Sequence, residues 1–294
     1  MNGKLQRMKI RVGCAQIAPL KAKIELNLDR VVELVQQAIK EEIDLLLFPE
    51  ASLSGYYLEG GVIENAITQE ELTQKLRARL DQISHKRKID FALGFYQQKN
   101  GNLYNSAIYY ELHPDHLKPL HVYSKLFLPT YGIFDEKRFV SRGNTLGVFD
   151  SRFGRVALMI CEDVWHSIMP TLSALAEAQV FLIPSASPAR GFQSEKPSNL
   201  EKYENLLKGI SSEHGVFCLN AMLCGFEGGK GLVGGSMVVD PFGSILAQGP
   251  VQEEFLLETE IDLDEIAVSR AQSPLLRNLK SVWEDLKKII NQIE

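Results

Sequence analysis

Residues 43–50 read Ile-Asp-Leu-Leu-Leu-Phe-Pro-Glu, an apolar run that ends at a proline and a carboxylate. A strand covered on one face alternates apolar and polar side chains, whereas a strand covered on both faces is apolar almost throughout. The run therefore predicts a strand over 43–48 buried on both sides, with Glu50 in the loop at its carboxyl end. Upstream, Leu28, Val31, Val32, Val35, Ala38 and Ile39 fall on one stripe at helical spacing, and residues 8–17 (MKIRVGCAQI) are β-rich. Strand, helix and doubly covered strand in succession predict a layered α/β fold with sheets inside and helices outside.

The same unit recurs in variation along the chain. Strands are predicted at 89–96 and 103–111, at two places within 144–161, and at 180–184, 216–222, 235–240 and 244–248, and residues 117–124 lead into Lys125. Helices are predicted at 70–88, 170–177 and 199–214. A last helix over 273–294 carries Leu275, Leu276, Leu279, Val282, Trp283, Leu286, Ile289 and Ile290 as its stripe. It packs either on its own domain or on a partner subunit. The 294 residues are 45% hydrophobic, enough for one large domain spanning 1–294, and no repeat or linker divides them.

The net charge of −5 offers no basic excess for nucleic acid, and the run Lys86-Arg87-Lys88 reads as a solvated helix end. No stretch reaches the roughly 18 apolar residues of a membrane span, and the start lacks the apolar core of a secretory signal. Cys14, Cys161, Cys218 and Cys224 follow no disulfide framework, which implies reduced thiols and a cytoplasmic setting.

Three polar residues sit at the ends of apolar stretches. Cys161 closes Val156-Ala157-Leu158-Met159-Ile160, where a turn can present a thiol beside backbone N–H groups that favour thiolate and oxyanion. Glu50 holds the corresponding place after residues 45–49, where desolvation raises a carboxyl toward general-base duty. Lys125 interrupts an apolar stretch and needs a carboxylate partner if it points inward. Taken alone, each has a plainer reading: a packed core thiol, a loop carboxylate and a surface lysine.

Together and in this order, the three resemble the catalytic set of the carbon–nitrogen hydrolase (nitrilase) superfamily. The likeness is greatest to the glutaminase domain of glutamine-dependent NAD synthetases, and it runs from about residue 8 to 270. It is carried by Phe48-Pro49-Glu50, by Ser124-Lys125-Leu126-Phe127-Leu128-Pro129-Thr130-Tyr131, and by Phe134-Asp135-Glu136-Lys137-Arg138-Phe139. Ile160-Cys161-Glu162-Asp163-Val164-Trp165, Ser185-Ala186-Ser187-Pro188, Gly234-Gly235-Ser236 and Asp240-Pro241-Phe242-Gly243 continue it. The resemblance implies a four-layer αββα sandwich whose subunits pair through outer helices into a homodimer or higher homo-oligomer. It implies Glu50 as general base, Lys125 as stabiliser of the tetrahedral intermediate, Cys161 as nucleophile and Glu136 as a second glutamate beside the lysine. It implies a donor pocket at Tyr56, Tyr131, Glu162, Trp165 and Ser187. Arg190 is a candidate for a substrate carboxylate.

The expected reaction is hydrolysis of a small carboxamide through a thioester, with no metal or organic cofactor. No ATP-binding synthetase signature follows, so the expectation is either hydrolysis of a free amide or delivery of ammonia to a separate protein. Glu162 follows the nucleophile where family members that act on nitriles carry an aromatic residue, which argues against a nitrile. Hydrolysis of an N-carbamoyl compound and a catalytically silent subunit are the alternatives. Cys161, Asp163 and His166 lack a fourth ligand and a zinc-like spacing. His85, His113, His116, His121 and His214 form no pairing motif. The glycine-rich segment 225–235 lacks a P-loop ending and reads as a flexible loop at the site.

Overall fold

In the computed structural model, which describes residues 8–189 and 196–293, the run at 43–48 becomes the centre of a six-stranded sheet. Chain order gives β1 (Lys9–Gln16), β2 (Leu45–Leu47), β3 (Ile89–Lys99), β4 (Asn102–Leu112) and β5 (Leu117–Ser124). A second sheet holds β6 (Val148–Ser151), β7 (Gly154–Leu158), β8 (Val180–Ser185) and β9 (Phe217–Met222). The hairpin β10 (Cys224–Glu227) and β11 (Lys230–Val233) intervenes before β12 (Met237–Val239) and β13 (Ile245–Gln248) complete that sheet. Strand β14 (Phe255–Asp262) then returns to the first sheet, antiparallel to β1.

The two sheets repeat one pattern. In the order β14-β1-β2-β3-β4-β5 the pairings run antiparallel, parallel, parallel, antiparallel, antiparallel. The order β6-β7-β8-β9-β12-β13 gives the same series. Each parallel step is crossed by a helix: α1 (Ile24–Lys40) and α3 (Gln69–Leu80) in the first half, α5 (Ile168–Leu175) and α6 (Ser198–His214) in the second. The short α2 (Val62–Asn65) and α4 (Glu136–Phe139) lie in loops, and α7 (Glu265–Gln272), α8 (Leu275–Ser281) and α9 (Trp283–Ile290) close the chain.

Strand pleating explains the apolar run. Leu45 and Leu47 face the second sheet and share a core with Leu158, Phe181, Leu219 and Val238. Leu46 and Phe48 face outward, onto Leu28, Val31, Val35, Leu72 and Leu76 of α1 and α3. On the other side, Leu200, Tyr203, Leu207 and Ile210 of α6 and Met169 and Ala174 of α5 cover the second sheet. The result is the expected αββα layering. Among the described residues no helix is long and apolar enough to cross a membrane.

Four local expectations are corrected. The helix expected over 70–88 stops at Leu80, because Arg87 and Lys88 are drawn off to Asp44 and Glu111. Their basic run is thus partly paired in a loop, not a helix end. The glycine-rich segment is an ordered hairpin pairing Cys224 with Val233 and Glu227 with Lys230. The tail helix breaks at Val282 into α8 and α9, and α9 buries no residue, leaving Ile289 and Ile290 half exposed. Residues 255–262 carried no expectation, since only two of the eight side chains of β14 are buried.

One glycine is decisive for the site. Gly94 on β3 lies under the loop after β2, and a Cβ there would fall 2.5 Å from the Pro49 carbonyl oxygen and 2.6 Å from the Ala51 nitrogen. Both obstacles are backbone, so the loop carrying Glu50 must move to admit a methyl group. Gly94→Ala is expected to destabilise the fold by about 1–3 kcal/mol in urea titrations. A loss below about 0.5 kcal/mol would show that the loop has room to spare.

Candidate active site

Ligand sites in sheets of this kind form at the carboxyl ends of the parallel strands. Here the ends of β2, β5, β7 and β8 deliver Glu50, Lys125, Cys161 and the segment Ser185-Ala186-Ser187. The Lys125 ammonium is fully buried between two carboxylates, 2.7 Å from Glu50 Oε1 and 2.7 Å from Glu136 Oε1. It therefore has the carboxylate partners that an inward-pointing ammonium requires, and it has two of them. Burial works against the charged ammonium, but Glu136 and Glu50 together hold its pKa well above the usual lysine range.

Glu50 is equally buried. Its Oε1 accepts from Lys125 and from Asn105 Nδ2 at 2.7 Å, while Oε2 has no hydrogen-bond partner. Burial pushes the carboxyl up to about 7, with the Lys125 charge opposing and the Glu136 charge adding. Glu136, at the first turn of α4, also accepts the Tyr56 hydroxyl at 2.5 Å on Oε1. Tyr56 is held in turn by Glu227 of the β10–β11 hairpin, whose Oε2 accepts the Tyr56 and Tyr57 backbone N–H groups at 2.8 and 2.9 Å.

Cys161 stands at the start of a short 3₁₀ turn with φ +48°, the left-handed region that a non-glycine residue occupies only when its surroundings hold it there. Asp163 provides that hold. Its Oδ1 accepts from the Leu126 and Phe127 backbone N–H groups at 3.2 and 2.9 Å. Its Oδ2 accepts from Ile160 N at 2.9 Å and from the Tyr123 hydroxyl at 2.8 Å. One buried carboxylate thus ties the segment after Lys125 to the turn carrying Cys161. With four protein donors, Asp163 has no capacity left as a metal ligand, and the His166 ring is stacked on Phe127.

The sulfur senses both charged neighbours. Burial pushes the Cys161 thiol up, Glu50 adds to this, and Lys125, the Tyr203 hydroxyl and a backbone hydrogen bond at Ala186 act the other way. Burial outweighs the turn, contrary to the expectation that backbone N–H groups would favour a resting thiolate. A neutral thiol beside a carboxylate with a free buried oxygen is suited to losing its proton during attack rather than before it.

The remaining expected residues are divided. Tyr131 and Glu162 meet through a 2.8 Å hydrogen bond, and Trp165 is partly exposed with its edge toward Tyr203. Ser187 is buried, with its hydroxyl 3.4 Å from the Asn199 amide nitrogen. Tyr56 is turned onto Glu136 and lies inside the charged cluster. Arg190 lies outside the described residues. Asn105 and Tyr203 carried no expectation as site residues, and Asp163 was weighed only as a metal ligand; the polar pair Asn105-Ser106 within β4 was the available signal for the first. Among the described residues, three metal-binding atom types come within 4.8 Å of one another at His113, Asp115 and His116. These lie in the exposed turn before β5, at the opposite end of that strand from Lys125.

The carbon-nitrogen hydrolase family model matches residues 11–271. The chain belongs to this family. It is accordingly a hydrolase of carbon–nitrogen bonds. It is 29% identical over 276 residues to a glutamine-dependent NAD(+) synthetase of Thermotoga maritima, covering 93% of this chain and 46% of that protein. The chain thus spans about half the length of such relatives. It is 26% identical over 294 residues to a deaminated glutathione amidase of Dictyostelium discoideum, covering 95% and 97% of the two chains. An amidase from Nesterenkonia sp. superposes with a TM-score of 0.71 at 27% identity, covering 92% of this chain and 95% of that one. A variant of that amidase carries the acetamide moiety of fluoroacetamide on its active-site cysteine.

Proposed function

We propose that this carbon–nitrogen hydrolase cleaves a small primary carboxamide, glutamine-like or another ω-amide, through a thioester on Cys161. One observation carries the reading: a fully buried Lys125 held by two carboxylates that each keep an unpartnered oxygen, one of them, Glu50, with a pKa raised to about 7. The amidase names of two relatives, the glutamine-dependent one and the cysteine adduct support it.

Glu50 takes the thiol proton as Sγ attacks the amide carbon, and the carbonyl oxygen becomes an oxyanion held by Lys125 and the backbone N–H after Cys161. The protonated Glu50 gives its proton to the amide nitrogen, the C–N bond breaks and ammonia leaves. Water then attacks the thioester as Glu50 takes one of its protons. The C–S bond breaks, the acid departs and the sulfur regains a proton. Glu136 keeps Lys125 charged and in place.

Intact-mass spectrometry with a mixed panel of small amides and ureido compounds tests the reading, since an acyl adduct on Cys161 names the acid half of the substrate. Ammonia release without carbon dioxide supports an amide, and release with it favours a carbamoyl compound. No adduct and no turnover on either class would point to a silent subunit. The pH profile gives a second check. Glu50 is protonated below about 7 and cannot then act as a base, so kcat/KM is expected to fall as pH drops through that value. A profile flat from about pH 5.5 to 8.5 would remove Glu50 from this role.

A further inference from the structure

We propose that Tyr203 is a further catalytic residue, holding its phenolic proton against Cys161 Sγ and stabilising the thiolate that forms as Glu50 takes the thiol proton. This rests on the assignment of Cys161 as nucleophile.

Tyr203 belongs to the buried stripe of α6 with Leu200, Leu207 and Ile210, where an aromatic residue needs no role beyond packing. Its hydroxyl, however, lies 3.3 Å from Cys161 Sγ. The sulfur decides the direction of that contact once it is ionised: a thiolate has no proton to give, so the phenol is the donor. Ser185 Oγ accepts from Asn220 Nδ2 at 2.9 Å and turns its own proton to the Ile183 carbonyl at 3.5 Å, while the Trp165 ring meets the Tyr203 ring in a T-shaped contact.

Burial and the nearby sulfur hold the phenol well above its usual range, so it keeps its proton at neutral pH. A donor of this kind is worth more to a charged sulfur than to a neutral one, so it acts when the proton leaves. The gain in thiolate is about ten- to hundredfold. Roughly half of this, on a logarithmic scale, is returned as lower nucleophilicity, leaving about three- to tenfold in rate.

The test compares three side chains of nearly the same shape at position 203 and measures Cys161 alkylation by iodoacetamide at pH 7.5, with Cys161→Ala as the blank. The rate is expected to rise in the order Tyr203→Phe, wild type, Tyr203→3-fluorotyrosine. The phenylalanine variant should be about three- to tenfold slow in alkylation and in kcat/KM, with KM little changed. Packing alone predicts no such order. Equal rates in all three proteins, or slowing by both substitutions, would overturn the proposal. If Tyr203→Phe does not fold, the fluorotyrosine protein decides: faster than wild type supports the donor, equal or slower refutes it. Failure of wild-type Cys161 to react at all would instead refute its assignment as nucleophile.

Discussion

Cys161→Ala is expected to lower amide turnover by roughly 10⁴- to 10⁶-fold while the protein still folds. The size follows from the proposed thioester route, because the remaining groups can bind and polarise the amide but none can form the covalent bond. The cost to stability should be small. Alanine inherits the φ of +48°, so backbone strain is unchanged, and the loss is one sulfur and the acceptor of the Tyr203 hydroxyl. A buried donor left without its acceptor costs about 1–3 kcal/mol. Circular dichroism and a thermal melt would establish the fold, and ammonia release the turnover. Activity within tenfold of wild type in a folded variant would end the thioester reading.

Lys125→Met should damage both stability and activity. Methionine fills much of the same space, but Glu50 and Glu136 then face each other without a cation in a fully buried site. Removing one partner of a buried ion pair costs about 3–5 kcal/mol. The loss should depend on pH with a definite sign. In wild type the Glu50 carboxyl is already raised from 4.5 to about 7, so the folded state binds the extra proton and stability declines as pH climbs through that window. Without the lysine the folded state holds its proton more tightly still. The deficit should therefore be larger at pH 8 than at pH 5.5 in urea titrations. Turnover should fall at least about 10²- to 10³-fold, the usual consequence of losing one oxyanion donor. An equal deficit at both pH values would mean that the two carboxylates do not share this environment.

Much of the architecture was legible because side-chain periodicity records which faces are covered. The run Leu45-Leu46-Leu47-Phe48 could be apolar throughout only with a layer on either side, and both layers are present. Strand β14 left a weaker trace, since most of its side chains remain in or near water. The end of α3 was illegible for another reason. Arg87 and Lys88 leave the helix for carboxylates far away in sequence, and no local pattern encodes such partners.

The site shows the same division. Glu50, Lys125 and Cys161 stood out because each places a polar group where an apolar stretch ends. Tyr203 occupies a helical stripe position that a leucine could fill, so nothing in its neighbourhood separates a packing ring from a hydrogen-bond donor. Asp163 is one of two adjacent acids after Cys161, and only the fold shows that it, not Glu162, takes up four donors.

The pairing of two carboxylates with one ammonium gives the buried cleft a formal charge of −1 when all three are ionised. In the proposed attack the thiol proton neutralises Glu50 while the substrate oxygen becomes negative. The sum stays at −1, so charge is moved within the cleft and none is created. A low-dielectric interior, which would strongly oppose a new ion, offers far less resistance to such a relocation.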